Sequence, residues 1–257
     1  MLAITRPIPD SLAACELTHL ERVPIDVARA RAQHAAYEQA LTSLGCEVAG
    51  VPAAHELPDS VFIEDTAIVL DELAVITRLG AASRQAETAA VASTLGAFRQ
   101  LQFLSEPATL DGGDVLRLGR TLYVGVGSRT NAAGVQQLRD FVSGHGYGVR
   151  SVAVDGCLHL KSAITEVAPG IVVLNPAWVD GAMFAEHEIV QVDPSEPAAA
   201  NVLRIGDVTV CAAAYPRTNA RLSAVSTVHI VDVSELAKAE GALTCCSLIF
   251  NRQARLP

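Results

Sequence analysis

A repeated segment in this chain begins each time with a polar residue, and among these first residues are the types found in nucleophilic active sites. Five segments each open on a polar residue and run into an apolar, strand-forming stretch, and their first positions lie 47, 48, 42 and 44 residues apart. Those first residues are Glu64, Asp111, His159, Asn201 and Cys245. A cysteine, a histidine and a carboxylate that converge can serve as nucleophile, proton-transfer group and orienting partner. The repeat therefore predicts that Cys245, His159 and Asp111 meet at one site.

Taken singly, each of these residues has a simpler interpretation. A buried cysteine usually behaves as a small apolar residue, and a lone histidine in a strand is usually a hydrogen-bonded structural residue. The alternation of residues 157–161 predicts a strand with Cys157, His159 and Lys161 on one face. Only the shared phase of the repeat favours chemistry over packing.

Acidic residues form a second candidate group. Asp59, Glu64 and Asp65 flank the apolar residues 61–63, and one interpretation is a solvated loop or a helix cap. The apolar neighbours favour partial burial, and a buried carboxylate is costly unless a cation pairs with it. A bound guanidinium would serve, because its planar fork of donors matches carboxylate geometry.

Three arginines also repeat in a related phase, where predicted hairpins end. They are Arg84, Arg129 and Arg217. At these positions they could bind the α-carboxylate of an amino acid, and solvation at the surface is the alternative for each one.

The elements that must position these residues follow from the same repeat. The first four segments continue through a short turn into a second apolar strand, which predicts a hairpin, and residues 27–41, 87–99 and 132–143 have helical spacing. Residues 2–6 resemble residues 75–78, so the two chain ends are expected to complete the fifth hairpin together. We predict an α/β fold, a five-bladed α/β propeller of ββαβ-type repeats around a central active site, with residues 1–257 as one catalytic domain. A doubly wound α/β sheet is the alternative, although it gives no reason for polar residues to recur at one phase.

Composition restricts the class of partner. The chain has 257 residues, a formal net charge of -9 and a sequence pI near 5.2, and it contains no cluster of Lys and Arg for phosphate binding. This balance favours a small cationic ligand over nucleic acid or an anionic membrane surface. No secretory signal and no membrane-spanning apolar run is visible, so a cytoplasmic protein is expected.

The six cysteines are expected to be reduced thiols. They are scattered through a chain of this size without a C-x-x-C pair, so the spacing does not predict zinc ligands or a disulfide framework. A bridge between the adjacent Cys245 and Cys246 would need a distorted peptide and is the less favoured alternative.

Five motifs in order, at residues 57–65, 108–116, 124–131, 158–162 and 243–248, resemble the dimethylarginine dimethylaminohydrolase family. The resemblance spans nearly the whole chain and implies the five-bladed propeller of guanidine-modifying enzymes. It implies that Cys245 is the nucleophile, His159 the general acid and base, and Asp111 the carboxylate partner of His159. It assigns the guanidinium to Glu64 and Asp65, the α-amino group to Asp59, the α-carboxylate to Arg84 and Arg129, a mobile lid to the segment around Leu17, and a pocket position to Ala239.

The activity that this resemblance implies is hydrolysis of free Nω,Nω-dimethylarginine, and of monomethylarginine, to citrulline and an amine through a covalent S-alkylthiouronium intermediate. No cofactor is implied, zinc would inhibit, and the protein would be a monomer or homodimer. Departures from the family pattern at Leu79, Gln85 and Ala239 bear on the substrate more than on the reaction. The alternatives are an arginine deiminase-like hydrolase of another free arginine derivative and, from another class, a non-catalytic propeller that acts as a binding module.

Overall fold

The computed structural model describes residues 1–252. The last five residues of the predicted domain 1–257 therefore lie outside the described residues. The fifteen strands form five sheets of three strands each. In chain order the strands are β1 (Leu2–Thr5), β2 (Glu47–Gly50), β3 (Ala67–Val69), β4 (Leu73–Ile76), β5 (Gln100–Phe103), β6 (Val115–Leu118), β7 (Thr121–Val126), β8 (Gly148–Ala153), β9 (Ile164–Ala168), β10 (Ile171–Leu174), β11 (Glu188–Gln191), β12 (Leu203–Ile205), β13 (Val208–Ala212), β14 (Thr227–Val231) and β15 (Leu248–Phe250). The predicted five-bladed α/β propeller is confirmed.

Each blade follows one plan. An antiparallel hairpin is followed by a crossover segment, usually helical, and then by a third strand that pairs in parallel with the second hairpin strand. The α-helices are α1 (Val27–Ser43), α2 (Thr88–Leu95), α3 (Ala132–Ser143), α4 (Leu160–Ala163), α5 (Pro216–Leu222) and α6 (Ser234–Ala237). A parallel pair needs such a crossover because its strands run in the same direction.

Two of the α-helices, α1 and α3, begin at side-chain caps. Asn131 accepts a hydrogen bond from the Gly134 N–H at the start of α3, which satisfies one of the amides left free at a helix N-terminus. The buried residues Val135, Leu138 and Val142 then recur along one face of α3 and join an apolar cluster that this blade shares with the preceding one. The predicted helix over 87–99 is shorter in the structure, because α2 ends at Leu95 before Gly96.

The two chain ends share one blade. Strand β1 pairs antiparallel with β15, with Leu2 opposite Phe250, and in parallel with β2. This is the pairing that the similarity between residues 2–6 and 75–78 predicts. All four residues of β1 are buried, so burial of its side chains stabilises the closed ring of blades.

The five leading polar residues do converge, but they lie before the strands rather than in them. Single helical turns precede four of the hairpins: Ile63–Thr66, Gly112–Asp114, Leu160–Ala163 and Thr244–Cys246. The predicted strand over residues 157–161 is wrong, because His159 is extended but α4 begins directly after it. Asn201 has a structural role, since its side chain accepts a hydrogen bond from the Thr244 N–H and donates one to the Lys161 carbonyl.

Within residues 1–252, no helix combines the length and the apolar character needed to cross a bilayer. The six cysteines are all free thiols in the structure, so the vicinal bridge between Cys245 and Cys246 is not formed.

Candidate active site

A small buried pocket lies where the turns that precede the hairpins meet. Cys245, His159 and Asp65 line it together with Asp59 and Arg129. The remaining lining residues are Glu16, Phe62, Arg84, Leu158, Ala239, Glu240 and Gly241. Most of the predicted site residues are thus brought to one pocket, although blade-length segments separate them in the sequence.

The imidazole of His159 is held between two carboxylates. Its Nε2 lies 3.1 Å from Asp111 Oδ2, and its Nδ1 lies 3.7 Å from Asp65 Oδ1. Asp111 is fully buried, and its other oxygen accepts a hydrogen bond from the Gly80 N–H at 2.8 Å. Because both oxygens of Asp111 are fixed, this carboxylate can hold the ring in one orientation.

The carboxylates around His159 favour its protonated form. Burial lowers the pKa of the imidazole, but the charges of Asp65, Asp111 and Asp114 outweigh this effect and raise that pKa from 6.5 to about 9. His159 is therefore an imidazolium at neutral pH, which is the form needed to protonate a leaving group.

Asp114 is a buried residue of the site that the repeat pattern did not single out. Its carboxylate accepts hydrogen bonds from Thr130 Oγ1 at 2.6 Å and from the Leu160 N–H at 3.0 Å. Thr130 Oγ1 in turn accepts one from the Asp111 N–H. Burial raises the pKa of Asp114 to about 6. This chain of hydrogen bonds ties the backbone of Asp111 to the residue that follows His159.

Cys245 reaches the same pocket from the turn Thr244–Cys246. Burial raises the pKa of its thiol above the usual range, and the negative charges of Glu64 and Asp65 raise it further. The thiol is therefore protonated at neutral pH in the free protein. A cation bound beside Cys245 would oppose both acidic charges and stabilise the thiolate.

Arg84 lies at the pocket, but most of its guanidinium is already bound to the protein. Its Nη1 donates to Asp65 Oδ2 at 2.8 Å, and its Nε and Nη2 donate to the two carboxylate oxygens of Glu87. All three residues are buried. Burial would raise the pKa of Asp65, but the charges of His159 and Arg84 lower it to about 2. In this arrangement Arg84 keeps Asp65 ionised, and it has few donors left for an α-carboxylate.

Glu64, which was expected to contact the guanidinium, does not line the pocket. Its carboxylate binds Lys161 Nζ and accepts a hydrogen bond from Thr244 Oγ1 at 2.6 Å. It faces a separate cavity of about 570 Å³, which Asp71 of a hairpin turn and Arg117 of β6 also line. The sequence could not show this, because Lys161 lies 97 positions from Glu64.

Asp59 and Arg129 place one anionic and one cationic side chain at the pocket, and each has hydrogen-bonding atoms that are not fully used by the protein. Asp59 is 4% exposed, and among the described residues its carboxylate accepts a hydrogen bond only from the Glu16 N–H. Arg129 is 8% exposed and donates from Nη2 to Thr18 Oγ1, whereas its buried Nη1 has no hydrogen-bond partner within residues 1–252. A buried guanidinium nitrogen without a partner is costly, so it marks a position for an anionic group.

The segment around Leu17, which was predicted to form a lid, lies at this pocket, and its residues 16–20 are called the lid. The backbone of Glu16 is bonded to Asp59, and Thr18 is bonded to Arg129. Leu17 does not line the pocket, and its partly buried side chain packs on the apolar core. Ala239 is 3% exposed and does line it, as expected.

Two carboxylates and the imidazole form one group that could hold a metal ion. Ligand atoms of Asp65, Asp111 and His159 lie within 4.8 Å of one another, and Cys245 is not part of this group. The Gly113 N–H already donates to Asp65, and the Gly80 N–H to Asp111. The two carboxylates and the imidazole are thus already held by hydrogen bonds within the protein.

Comparisons with known proteins show which family this chain belongs to. The arginine deiminase family model matches residues 50–196. The chain is 42% identical over 248 residues to the N(G),N(G)-dimethylarginine dimethylaminohydrolase of Streptomyces coelicolor, covering 95% of both chains. It is 32% identical to the enzyme of that name from Pseudomonas aeruginosa, covering 88% of this chain and 90% of that protein.

Solved structures give the same result. A cysteine-to-serine mutant of the Pseudomonas aeruginosa enzyme, complexed with citrulline, superposes with a TM-score of 0.91 at 30% identity, covering 96% of this chain and 98% of that one. A dimethylarginine dimethylaminohydrolase with a histidine-to-glycine change, as an adduct with S-methyl-L-thiocitrulline, superposes with a TM-score of 0.90 and the same coverage. Fold, pocket chemistry and sequence agree that the chain belongs to the dimethylarginine dimethylaminohydrolase family, within the arginine deiminase group.

Proposed function

We propose that this protein hydrolyses free Nω,Nω-dimethylarginine, and also monomethylarginine, to citrulline and the corresponding amine. The observation that carries the proposal is one closed pocket that combines a thiol and an imidazolium with Asp65, Asp59 and an unpaired nitrogen of Arg129. A free amino acid with a cationic side chain carries the complementary set of charges. The names of the relatives support the same reaction.

Substrate binding follows from the charges at the pocket. The α-carboxylate would bind Arg129 through its unpaired Nη1, and the α-amino group would bind Asp59. The cationic guanidinium would lie beside Asp65, whose low pKa keeps its carboxylate ionised. Arg84 acts behind Asp65 and is assigned to orienting this carboxylate, with a smaller part in binding the α-carboxylate.

The first chemical step forms a carbon–sulfur bond. The bound cation lowers the pKa of the Cys245 thiol, the proton leaves to solvent, and the thiolate attacks the guanidinium carbon. As the bond from that carbon to the dimethylated nitrogen breaks, the His159 imidazolium protonates the departing dimethylamine. The product is an S-alkylthiouronium on Cys245 and a neutral His159.

The second step consumes water and restores the enzyme. Neutral His159 takes a proton from water, the hydroxide adds to the thiouronium carbon, and the carbon–sulfur bond breaks. The proton of the added hydroxyl passes to the departing sulfur, so citrulline leaves as a neutral urea, Cys245 returns as the thiol, and His159 is again protonated. The hydrogen bond from Asp111 holds the ring in position for both transfers.

We propose that no cofactor takes part, because the thiol and the imidazole account for every bond made and broken. A zinc ion bound to His159 and to Cys245 or the neighbouring carboxylates would remove the proton-transfer group, so zinc is expected to inhibit. We further propose one catalytic domain, acting in the cytoplasm as a monomer or homodimer.

A panel of free amino acids tests the substrate assignment. Arginine, monomethylarginine and dimethylarginine are supplied separately, and citrulline and the released amine are measured by mass spectrometry. The proposal expects the largest kcat/KM for dimethylarginine. A preference for plain arginine with release of ammonia would instead support the deiminase suggested by the family model. No turnover, and no labelling of Cys245 by a haloacetamidine, would support a non-catalytic binding module.

Arg129→Ala is expected to raise KM by roughly 30-fold or more, because loss of one partner of a buried charge pair costs about 2–5 kcal/mol. The change in kcat should be much smaller, since Arg129 does not touch the reacting atoms. Steady-state kinetics with dimethylarginine measures both. Arg217→Ala is the matched control, because Arg217 has the same phase in the repeat but an exposed side chain bonded to Ser195. An unchanged KM for Arg129→Ala would reject its contact with the α-carboxylate.

A further inference from the structure

We propose that Glu240 is a positioning residue that holds the lid, residues 16–20, closed over the pocket and must release it each time a substrate is admitted. The inference rests on the proposed function only in taking the pocket as the substrate site. Neither composition nor the repeat pattern pointed to Glu240.

The carboxylate of Glu240 accepts hydrogen bonds from several backbone N–H groups of the lid. The N–H groups of Thr18, His19 and Leu20 all donate to Glu240, with distances of 3.0 Å from Thr18 and 2.6 Å from Leu20. Three successive amides that point at one anion form a concave anion-binding site. Because the acceptor is ionised, these bonds are stronger than bonds to a neutral oxygen.

The backbone of Glu240 has an unusual conformation, at the turn that follows α6. Its φ of 56° makes it the only non-glycine residue within 1–252 with positive φ. Side chains other than glycine rarely adopt this region, because the Cβ atom approaches the following carbonyl. Glu240 lies between Ala239 and Gly241, which both line the pocket. A strained residue at such a position persists only where its surroundings fix it.

Besides a side-chain bond from Ser83 Oγ to Glu16 Oε1 at 2.6 Å, two further bonds to the lid come from residues that are assigned to the substrate. Asp59 accepts the Glu16 N–H, and Arg129 donates to Thr18 Oγ1. A bound amino acid would engage both of these side chains. The carboxylate of Glu240 has no such assignment, so it restrains the lid whether or not the pocket is occupied.

The closed lid leaves too little room for a substrate. The pocket beneath it has a volume of about 20 Å³, which holds roughly one water molecule. Thr18, His19 and Leu20 are exposed, so few buried apolar contacts hold this part of the lid, and its opening is governed mainly by its hydrogen bonds. Breaking the bonds to Glu240 is therefore part of admitting an arginine derivative.

The test compares Glu240→Gly and Glu240→Gln with the parent protein in the absence of substrate. Glycine removes the carboxylate and accepts positive φ without strain, whereas glutamine keeps an acceptor oxygen but not the charge. Glu21→Gln is the matched control, because it removes the same charge just after the lid. Hydrogen exchange of the amides of residues 18–20 and alkylation of Cys245 by iodoacetamide are followed by peptide mass spectrometry, with buried Cys211 as the internal reference.

We expect Glu240→Gly to speed amide exchange in the lid and Cys245 alkylation by about tenfold, Glu240→Gln to have a smaller effect, and Glu21→Gln to match the parent. With dimethylarginine, Glu240→Gly should raise KM more than it changes kcat. Parent-like exchange and alkylation in folded Glu240→Gly would overturn the proposal. A raised KM with parent-like exchange would also overturn it, because Glu240 would then contact the substrate. If no arginine derivative is turned over, the proposed function fails, but exchange and alkylation still decide the role of Glu240.

Discussion

Cys245→Ser is expected to lower the rate of citrulline formation from dimethylarginine by at least about a thousandfold, because the reaction is proposed to run through a covalent bond to this sulfur. A serine hydroxyl ionises far less readily than a thiol, so the bound cation cannot generate a comparable nucleophile. Turnover is measured by citrulline formation, and the substrate's Kd is measured separately by calorimetry. The Kd should change little, since Asp59, Asp65 and Arg129 remain in place.

Cys246→Ser is the matched control for this change. Cys246 is fully buried, and its Sγ contacts the Ala242 carbonyl rather than the pocket. Replacing it should lower the free energy of unfolding by placing a hydroxyl in an apolar cluster, and kcat should remain close to that of the parent. If Cys245→Ser kept parent-like turnover, or if only Cys246→Ser lost it, the nucleophile would be wrongly assigned.

His159→Gln is expected to reduce kcat for dimethylarginine by about a thousandfold, because the departing amine and the attacking water both depend on this ring for proton transfer. S-methyl-L-thiocitrulline separates the two roles, since its methanethiol group leaves without strong acid assistance. The variant should form the covalent adduct with this compound but hydrolyse it slowly. Intact-protein mass spectrometry then detects a persistent adduct on Cys245.

The pH profile checks the same assignment in the parent protein. His159 must be protonated to release the amine, and the pKa of its imidazole is raised to about 9, so kcat/KM should fall as the pH rises through about 9. His145→Gln is the control for the histidine substitution, because His145 is exposed and does not line the pocket. Rapid clearance of the adduct by His159→Gln would contradict its role as the base.

The fold could be predicted from the sequence because the repeat leaves a strong signal at several levels. Polar first positions recur with a nearly constant spacing, and each hairpin turn falls where the sequence predicts it, as in the turn between β6 and β7. The third strand of each blade was harder to predict. Strands such as β5 and β11 are short and half exposed, so they lack the continuous apolar run that marks a buried strand.

The sequence predicts which residues meet at the site better than it predicts which of them bond to one another. The phase of the repeat indicates that His159 and Asp111 meet, and their 3.1 Å contact agrees with this. It cannot indicate which partner each charge takes, because that choice depends on contacts between blades. Glu64 pairs with Lys161, and Arg84 with Glu87 and Asp65, because a buried charge must find an opposite charge nearby. The repeat does not single out Glu240, since its proposed role depends on contacts between its carboxylate and the distant residues 18–20.

The joining of β1 to β15 sets an order of events during synthesis. Strand β1 is synthesised long before its antiparallel partner β15, and Cys245 lies just before that partner. A nascent chain therefore carries an apolar strand with one open edge until β15 has been made, and such edges invite aggregation. It also means that an incomplete chain has neither a closed ring nor its nucleophile, so a prematurely terminated product is inert toward arginine derivatives.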